Sequence, residues 1–422
     1  MKVFKFGGAS VKDAPAVRNV VEIISQHSPE TALLVVISAM GKTTNALEEL
    51  LHLSANHKPF TQEVNALYKY HEDIVKELFN DIHHEVYFHL AQRFQSLTRA
   101  LHRAKKASYN QAYDEVVAHG ELISTIIVEA YLKKQGVSSQ WIDSRDYIST
   151  NNLYREAQVN WPLTGSKINR QLVPLLQEAV IIGQGFIGRS SEGYTTTLGR
   201  EGSDFSAAIF ASCLNAESVT IWKDVPGVLN ADPKRIENTV LYNQLSYFDA
   251  AEMTYYGASV IHPKTIKPLA NQQIPLFVRS FTNPSAPGTQ ISQTADGAHS
   301  HIEVPAIIFK QNQTLITFNI RDFSFITERN LSQIFFLLDT LHIKINVMQN
   351  SAISVSICID GNATKTQTLL SNLESEYDIR YNEGLTLITV KNYNEAQITD
   401  LAAQQDIVLE QRTRNTYQIV VK

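Results

Sequence analysis

The chain has 422 residues, 44% of them apolar, with 37 Lys+Arg against 42 Asp+Glu for a net charge of −5. That length calls for two or three domains with sizeable cores, and so mild an acidity gives no electrostatic case for binding nucleic acid or an anionic membrane. No apolar stretch approaches the ~20 residues of a membrane span, the opening residues lack a signal-peptide core, and Cys213 and Cys358 sit isolated in apolar runs, so a cytoplasmic protein with free buried thiols is expected.

A Val/Phe run at 3–6 reads as a buried strand. It carries and ends in Lys5-Phe6-Gly7-Gly8-Ala9-Ser10, one cation followed by two glycines and a hydroxyl. Glycines let backbone N–H groups approach an anion closely, and a lysine beside them adds a point charge for phosphate. Residues 14–26 read as a helix with Val17, Val20, Val21 and Ile24 on one face, and 33–38 as a strand buried on both faces. Gly41-Lys42-Thr43-Thr44 looks like the tail of a P-loop, but valine stands at position 36 where its upstream glycine belongs, and a Walker A site is rejected. A helix is expected at 44–54, a hairpin of two helices over 61–107, another helix at 116–134 and a buried strand at 180–182. Gly183-Gln184-Gly185-Phe186-Ile187-Gly188 matches a dinucleotide fingerprint, which needs a helix next. The polar, hairpin-like stretch 189–197 follows instead, so that reading is set aside. The histidines show no metal-ligand spacing.

Thr195-Thr196-Thr197-Leu198-Gly199-Arg200-Glu201-Gly202-Ser203-Asp204 is a polar, glycine-punctuated loop running into an apolar helix at 205–214. Ser203 is placed to cap that helix, whose free first-turn N–H groups would form an anion site flanked by Arg200 and Asp204. A strand at 218–221 leads into Trp222-Lys223-Asp224-Val225-Pro226-Gly227-Val228-Leu229-Asn230-Ala231-Asp232-Pro233-Lys234. Strands alternating with helices to this point argue for a three-layer α/β domain with a mainly parallel sheet. The turn-rich Asn283-Pro284-Ser285-Ala286-Pro287-Gly288-Thr289 and the small polar 296–300 mark a linker. Beyond it, strands at 314–319, 343–348 and 353–359 with helices at 331–341 and 366–376 form one β-α-β-β unit with a following helix. A shorter copy follows, with strands at 386–390, 407–412 and 417–421 and a helix at 395–404.

The Lys-Phe-Gly-Gly opening, His119-Gly120-Glu121, the loop through Asp204, the Asp224 segment and the repeated C-terminal pattern together resemble the amino-acid kinase family, and within it the aspartate kinases, along nearly the whole chain. The resemblance implies an amino-acid kinase domain over 1–295, then paired ferredoxin-like α+β ACT modules. The first spans 312–379; the second, trimmed, joins 301–311 to 380–422. It also implies transfer of the γ-phosphoryl of ATP, with Mg²⁺, to the β-carboxylate of L-aspartate, opening lysine, threonine and methionine synthesis. A carboxylate of pKa ≈ 3.9 is already ionised at neutral pH, so the task is positioning and charge stabilisation rather than base catalysis. By the resemblance, Lys5 stabilises the transition state and Asp204 orients it. Glu121, at a helix start, takes the substrate ammonium and Arg200 its α-carboxylate, with Ser38, Thr44, Gly202 and Ser203 lining the acceptor pocket. Lys5, Gly7, Gly8, Ser10, Lys223, Asp224, Leu229, Lys234 and Ser259 fall on the nucleotide side, and the chain is expected to hold no metal cluster of its own.

The nucleotide side departs from the family pattern. Ala9 and Lys223 stand where threonine is usual, Leu229 replaces a frequent tyrosine, Lys234 an arginine, and Ser259 a lysine that often contacts nucleotide. Lys223 is expected to supply the cation missing at 259. These departures keep open a second reading, a catalytically weak amino-acid sensor of the same fold; retention of Lys5, Glu121, Arg200 and Asp204 argues against it. Where lysine-sensitive relatives use acidic residues of the first ACT module, this chain has Asn346 and Ala352. Lysine inhibition should therefore be weak or absent, with threonine or no effector at the ACT interface. The trimmed module leaves an open sheet edge, a pairing hazard unless covered, so a homodimer is expected.

Overall fold

The computed structural model describes residues 1–28, 31–258, 261–293, 304–322, 324–403 and 405–422; the expected nucleotide residue Ser259 and the 296–300 linker lie outside them. The chain divides into two units, one of Met1–Val228, Leu241–Ala251 and Val260–His299, the other of Leu229–Val240, Glu252–Ser259 and Ser300–Lys422.

The first unit has strands β1 (Lys2–Phe6), β2 (Leu33–Ile37), β3 (Ser139–Trp141), β4 (Ser149–Thr150), β5 (Val180–Gln184), β6 (Ile187–Ser190), β7 (Thr195–Thr197), β8 (Ser218–Lys223), β9 (Gln244–Ser246), β10 (Leu276–Ser280) and β11 (Thr289–Ser292). Its helices are α1 (Ala14–His27), α2 (Thr43–Ala55), α3 (Thr61–Leu78), α4 (Glu85–Ala104), α5 (Tyr109–Lys134), α6 (Trp161–Leu176), α7 (Gly202–Leu214), α8 (Tyr247–Tyr256), which runs on into the second unit, and α9 (Pro263–Asn271). Among the described residues the main sheet runs β3-β5-β2-β1-β8-β10-β11-β9, with β10 and β11 antiparallel and the other pairs parallel. All of β2 is buried, as a parallel strand covered on both faces requires. Phe4, Phe6, Val35, Ile37 and Ile182 share a core with side chains of α1 to α5. Side chains alternate across a strand, so Lys5 turns to the opposite face, where α7 packs on β1, β2 and β8.

Two expectations change here. Helix α5 begins at Tyr109, not 116, because Ser108 Oγ accepts the Gln111 N–H at 3.4 Å and starts the helix seven residues early. Glu121 thus lies mid-helix rather than in a first turn. Thr195–Thr197, read as loop, is strand β7, antiparallel to β6. This hairpin follows the glycine fingerprint, where a dinucleotide site would place a helix.

The second unit is α+β: β12 (Ala306–Ile320), α10 (Glu328–Thr340), β13 (Ile345–Asn350), β14 (Ser354–Asp360), α11 (Ala363–Leu373), β15 (Tyr377–Lys391), α12 (Glu395–Ala403), β16 (Ile407–Arg412) and β17 (Thr416–Val421). The antiparallel sheet runs β13-β14-β12-β15-β17-β16. The strand expected at 314–319 is the second half of the 15-residue β12, set off from its first half by a register shift between Lys310 and Gln313. One end of the sheet packs Ile316 and Phe318 with Ile334, Leu338 and Leu369 of α10 and α11. The other packs Ile388, Val390 and Ile419 with Ile398 of α12. A third cluster on the same sheet gathers Leu315, Val347, Cys358, Leu387 and Val420; this antiparallel α+β arrangement is consistent with ACT modules. Cys213 and Cys358 are free thiols. No helix among the described residues is long and apolar enough to cross a membrane.

Candidate active site

Parallel sheets present ligand sites at the carboxyl ends of their strands, where neighbouring connections diverge. Here β1 lies between β2 and β8, and the turns that follow these strands form one rim. The Ser38 N–H donates to the Phe6 carbonyl at 3.1 Å. A Cβ on Gly8 would stand 2.7 Å from the Ala39 carbonyl oxygen, so glycine is what lets the two turns meet. Lys5 Nζ lies beside Gly7, 3.5 Å from where a Cβ would be.

From the other layer, Asp204 in the first turn of α7 meets this rim. Lys5 Nζ stands 2.6 Å from its Oδ1 and Lys223 Nζ 3.6 Å from its Oδ2. Lys5 and Asp204 are buried, Asp204 being 2% exposed, and Lys223 is half-buried. Burial alone would push the Asp204 carboxyl up; the Lys5 and Lys223 ammonium groups outweigh it and hold the carboxyl below its usual range. The Lys5–Asp204–Lys223 trio itself carries a net positive charge at the strand ends. Such a preorganised charge suits an incoming phosphate and the negative charge that develops in phosphoryl transfer.

Glu121 closes the site from α5. A Cβ on Gly120 would fall 2.8 Å from the Ala39 Cβ, so the glycine allows α5 to approach the turn after β2. Glu121 Oε1 accepts the Ala39 N–H at 3.3 Å, while Oε2 is buried without a partner among the described residues. Burial pushes this carboxyl up to about 8, opposed by the Ala39 hydrogen bond and the Lys5 charge. A buried acceptor without a donor invites a ligand that brings one.

The remaining expected residues are unevenly placed. Ser10 is buried on the turn after Gly8 and its hydroxyl has no described partner. Ser38 and Thr44 are half-buried, whereas the neighbouring Thr43 is fully buried and bonded to His71 Nε2 at 3.3 Å. Arg200 is exposed just before α7. Ser203 does not cap α7. The N-cap position belongs to Glu201, in the left-handed conformation at φ 53°, and makes no side-chain cap bond; Ser203 sits inside the first turn that Gly202 opens. The Gly202 and Asp204 amides donate to the Gly199 and Glu201 carbonyls at 3.0 Å each, so the expected row of free N–H groups is already partly used. Asp224 is exposed after β8, and Leu229 and Lys234 fall in the second unit, half-buried and exposed respectively. Sequence reasoning missed Glu201. Burial pushes its carboxyl up, with Lys223, Asp204, Arg200 and Lys5 all in electrostatic range. A glutamate between Arg200 and Gly202 in a loop that must turn sharply was the available signal.

The model of the amino acid kinase family matches residues 1–280. The lysine-sensitive aspartokinase 3 of Escherichia coli K12 is 32% identical over 398 residues, covering 92% of this chain and 86% of the relative. The solved structure of Escherichia coli aspartokinase III in complex with aspartate and ADP is 28% identical, with a TM-score of 0.84, over 100% of this chain and 96% of that one. A chloroplastic bifunctional aspartokinase/homoserine dehydrogenase of Arabidopsis thaliana is 35% identical over 69% of this chain, which spans 32% of that relative's length. The chain, with its buried Lys5–Asp204 pair at the strand ends, belongs to the amino acid kinase family and, within it, to the aspartokinases.

Proposed function

We propose that this kinase transfers the γ-phosphoryl group of ATP to the β-carboxylate of L-aspartate, giving 4-phospho-L-aspartate. The carrying observation is Lys5 and Lys223 converging on the buried Asp204 at the ends of β1 and β8. Asp204 fixes where the two ammonium groups stand, and Lys5 meets the charge that spreads over the transferring phosphoryl oxygens. The acceptor is already an anion and needs only alignment with the phosphorus. Glu121 receives the substrate ammonium on its unpaired Oε2, Arg200 pairs with the α-carboxylate, and Ser38, Thr44, Gly202 and Ser203 line the pocket. Gly7, Gly8, Ser10, Lys223, Asp224, Leu229 and Lys234 serve the nucleotide, with Ser259 where a further contact is expected.

Among the described residues no group of three or more His, Cys, Asp or Glu side chains could hold a metal. Mg²⁺ would arrive on the ATP phosphates, where it rarely needs an all-protein cage; when bound it would neutralise phosphate charge beside Lys5 and Lys223. We also assign residues 1–295 to catalysis, 312–379 to a first ACT module and 301–311 with 380–422 to a second, and place the product ahead of lysine, threonine and methionine synthesis. A homodimer through the second unit is supported by its open edges at β13 and β16 and by the exposed Phe325 and Phe336.

The test is ATP- and Mg²⁺-dependent formation of aspartyl hydroxamate from aspartate and hydroxylamine, with glutamate and acetylglutamate as controls. Signal with aspartate alone, lost in Lys5→Ala, supports the reading. No signal with any acceptor refutes it and favours an amino-acid sensor.

A further inference from the structure

Two turns before Glu121 on the same face of α5 lies a second carboxylate, Asp114, fully buried and 0% exposed. Its Oδ1 accepts the Thr197 hydroxyl at 2.7 Å, its Oδ2 the Thr197 N–H at 2.8 Å, and both oxygens share the Arg155 N–H at 3.0 and 3.1 Å. No cation supplies these bonds; the donors are two backbone amides and a hydroxyl, all from the segments that frame Arg200. The same segments are tied at neighbouring points. Ala157 N–H donates to the Thr197 carbonyl at 2.9 Å, and Leu198 N–H to the Phe186 carbonyl at 2.9 Å. Arg155 itself is held at φ 70°, its guanidinium 4.3 Å from the centre of the Tyr113 ring. Its carbonyl would lie 3.1 Å from a Cβ on Gly199, the residue that turns the chain into Arg200.

We propose that Asp114 is a positioning residue for the amino-acid substrate: its carboxylate gathers Thr197 and Arg155 and so sets where Arg200 and the first turn of α7 stand relative to Glu121. The inference rests on the acceptor reading given above. Asp114 and Glu121 project from one helix, so the helix acts as a common frame for both ends of the substrate's amino-acid group. A buried carboxylate is an expensive way to fasten a loop merely for stability. Burial pushes the Asp114 carboxyl up to about 6 even against its hydrogen bonds, which marks the desolvation as incompletely offset. Rules of local stability are broken most often where a site needs the geometry.

The experiment uses the full chain, Asp114→Asn and Thr197→Val, with steady-state kinetics in each substrate and calorimetric ADP binding. Asn keeps the size of the side chain but presents an amide to donors that need an acceptor; Val removes only the hydroxyl donor. Asp114→Asn should raise the aspartate KM about tenfold or more while leaving the ATP KM and ADP affinity within about twofold, and Thr197→Val should shift the aspartate KM the same way by less. An unchanged aspartate KM in folded variants, or equal losses toward both substrates, overturns the inference. If Asp114→Asn fails to fold, Thr197→Val decides by the same criterion. Absence of aspartate turnover in the unaltered chain strikes the acceptor reading itself, a result separable from any comparison of variants.

Discussion

Lys5 and Asp204 come from adjacent layers of the kinase unit, a central strand and the first turn of α7, and meet at 2.6 Å in a shielded ion pair. Lys5 alone of the β1 side chains combines a charge with a position at the strand's C-terminal rim, which under the proposed reaction puts the transferring phosphoryl group beside this pair. Lys5→Ala should lower kcat by about 10²–10³, ~2.7–4 kcal/mol, the range for loss of one preorganised donor. It should leave the aspartate KM little changed. A kcat within a few-fold of the unaltered enzyme in rapid-quench or steady-state assays would remove Lys5 from the chemistry.

Glu121 is the basis of a second expectation. Glu121→Ala should raise the aspartate KM by about 10–100-fold, as expected for losing a charge-assisted bond of ~1.5–3 kcal/mol, with the ATP KM nearly unmoved. An unchanged aspartate KM would sink the assignment.

The same residue carries a pH dependence. Burial pushes its carboxyl up to about 8, so near neutrality the free enzyme holds it largely protonated. An ammonium substrate prefers the ionised form, and binding below that value must release a proton. The aspartate KM should therefore fall as pH rises toward about 8, by up to about tenfold per pH unit, and then level. Glu121→Gln should flatten this profile; an equal slope in that variant would refute it. Stability runs the other way. With the folded value raised above the unfolded one, the contribution is fully present below the unfolded value and is lost as pH rises through about 8. Glu121→Gln should thus raise Tm more on the alkaline side than in mild acid.

Much of this site was legible before the fold was known, for physical reasons. Strand β2 is apolar at every position because both faces are covered, and the two glycines after β1 announce a close backbone approach. Charged first-turn and cap positions were harder. Ser108 starts α5 seven residues before the apolar pattern becomes continuous, so Glu121 looked like a helix-start residue. Ser203 has the chemistry of a cap, yet the turn at Gly199 brings Glu201 to that position instead. Asp114 gave no local signal. Its donors come from residues 41 and 83 positions away, a relationship only the folded chain reveals.

Lys223 offers a third mutational test. It ends β8 one strand over from Lys5 and shares the Asp204 carboxylate with it. If it supplies the nucleotide-side cation that Ser259 does not, Lys223→Thr should weaken ATP binding about tenfold, close to one charge-assisted contact with phosphate, and spare the aspartate KM. Calorimetry showing unaltered ADP and ATP-analogue affinity would exclude that role.

The last prediction concerns regulation in the second unit. The Escherichia coli relative is named as lysine-sensitive; this chain has Asn346 where an acidic residue would recognise the effector's ammonium. Asn346 is already committed. Its Oδ1 accepts from the Lys310 ammonium at 2.9 Å, and its Nδ2 donates to Gln313 Oε1 at 2.7 Å and Asp360 Oδ1 at 2.9 Å. Lys310 in turn pairs with Asp360 at 2.7 Å. A free lysine would have to displace an ammonium group tethered to the same strand system, at an entropic disadvantage, and would gain a neutral amide rather than a carboxylate. Kinase activity should therefore persist at lysine concentrations that saturate a sensitive enzyme. Half-inhibition at low millimolar lysine or below, measured at subsaturating aspartate, would overturn this account, whereas the same titration with threonine tests the alternative effector directly.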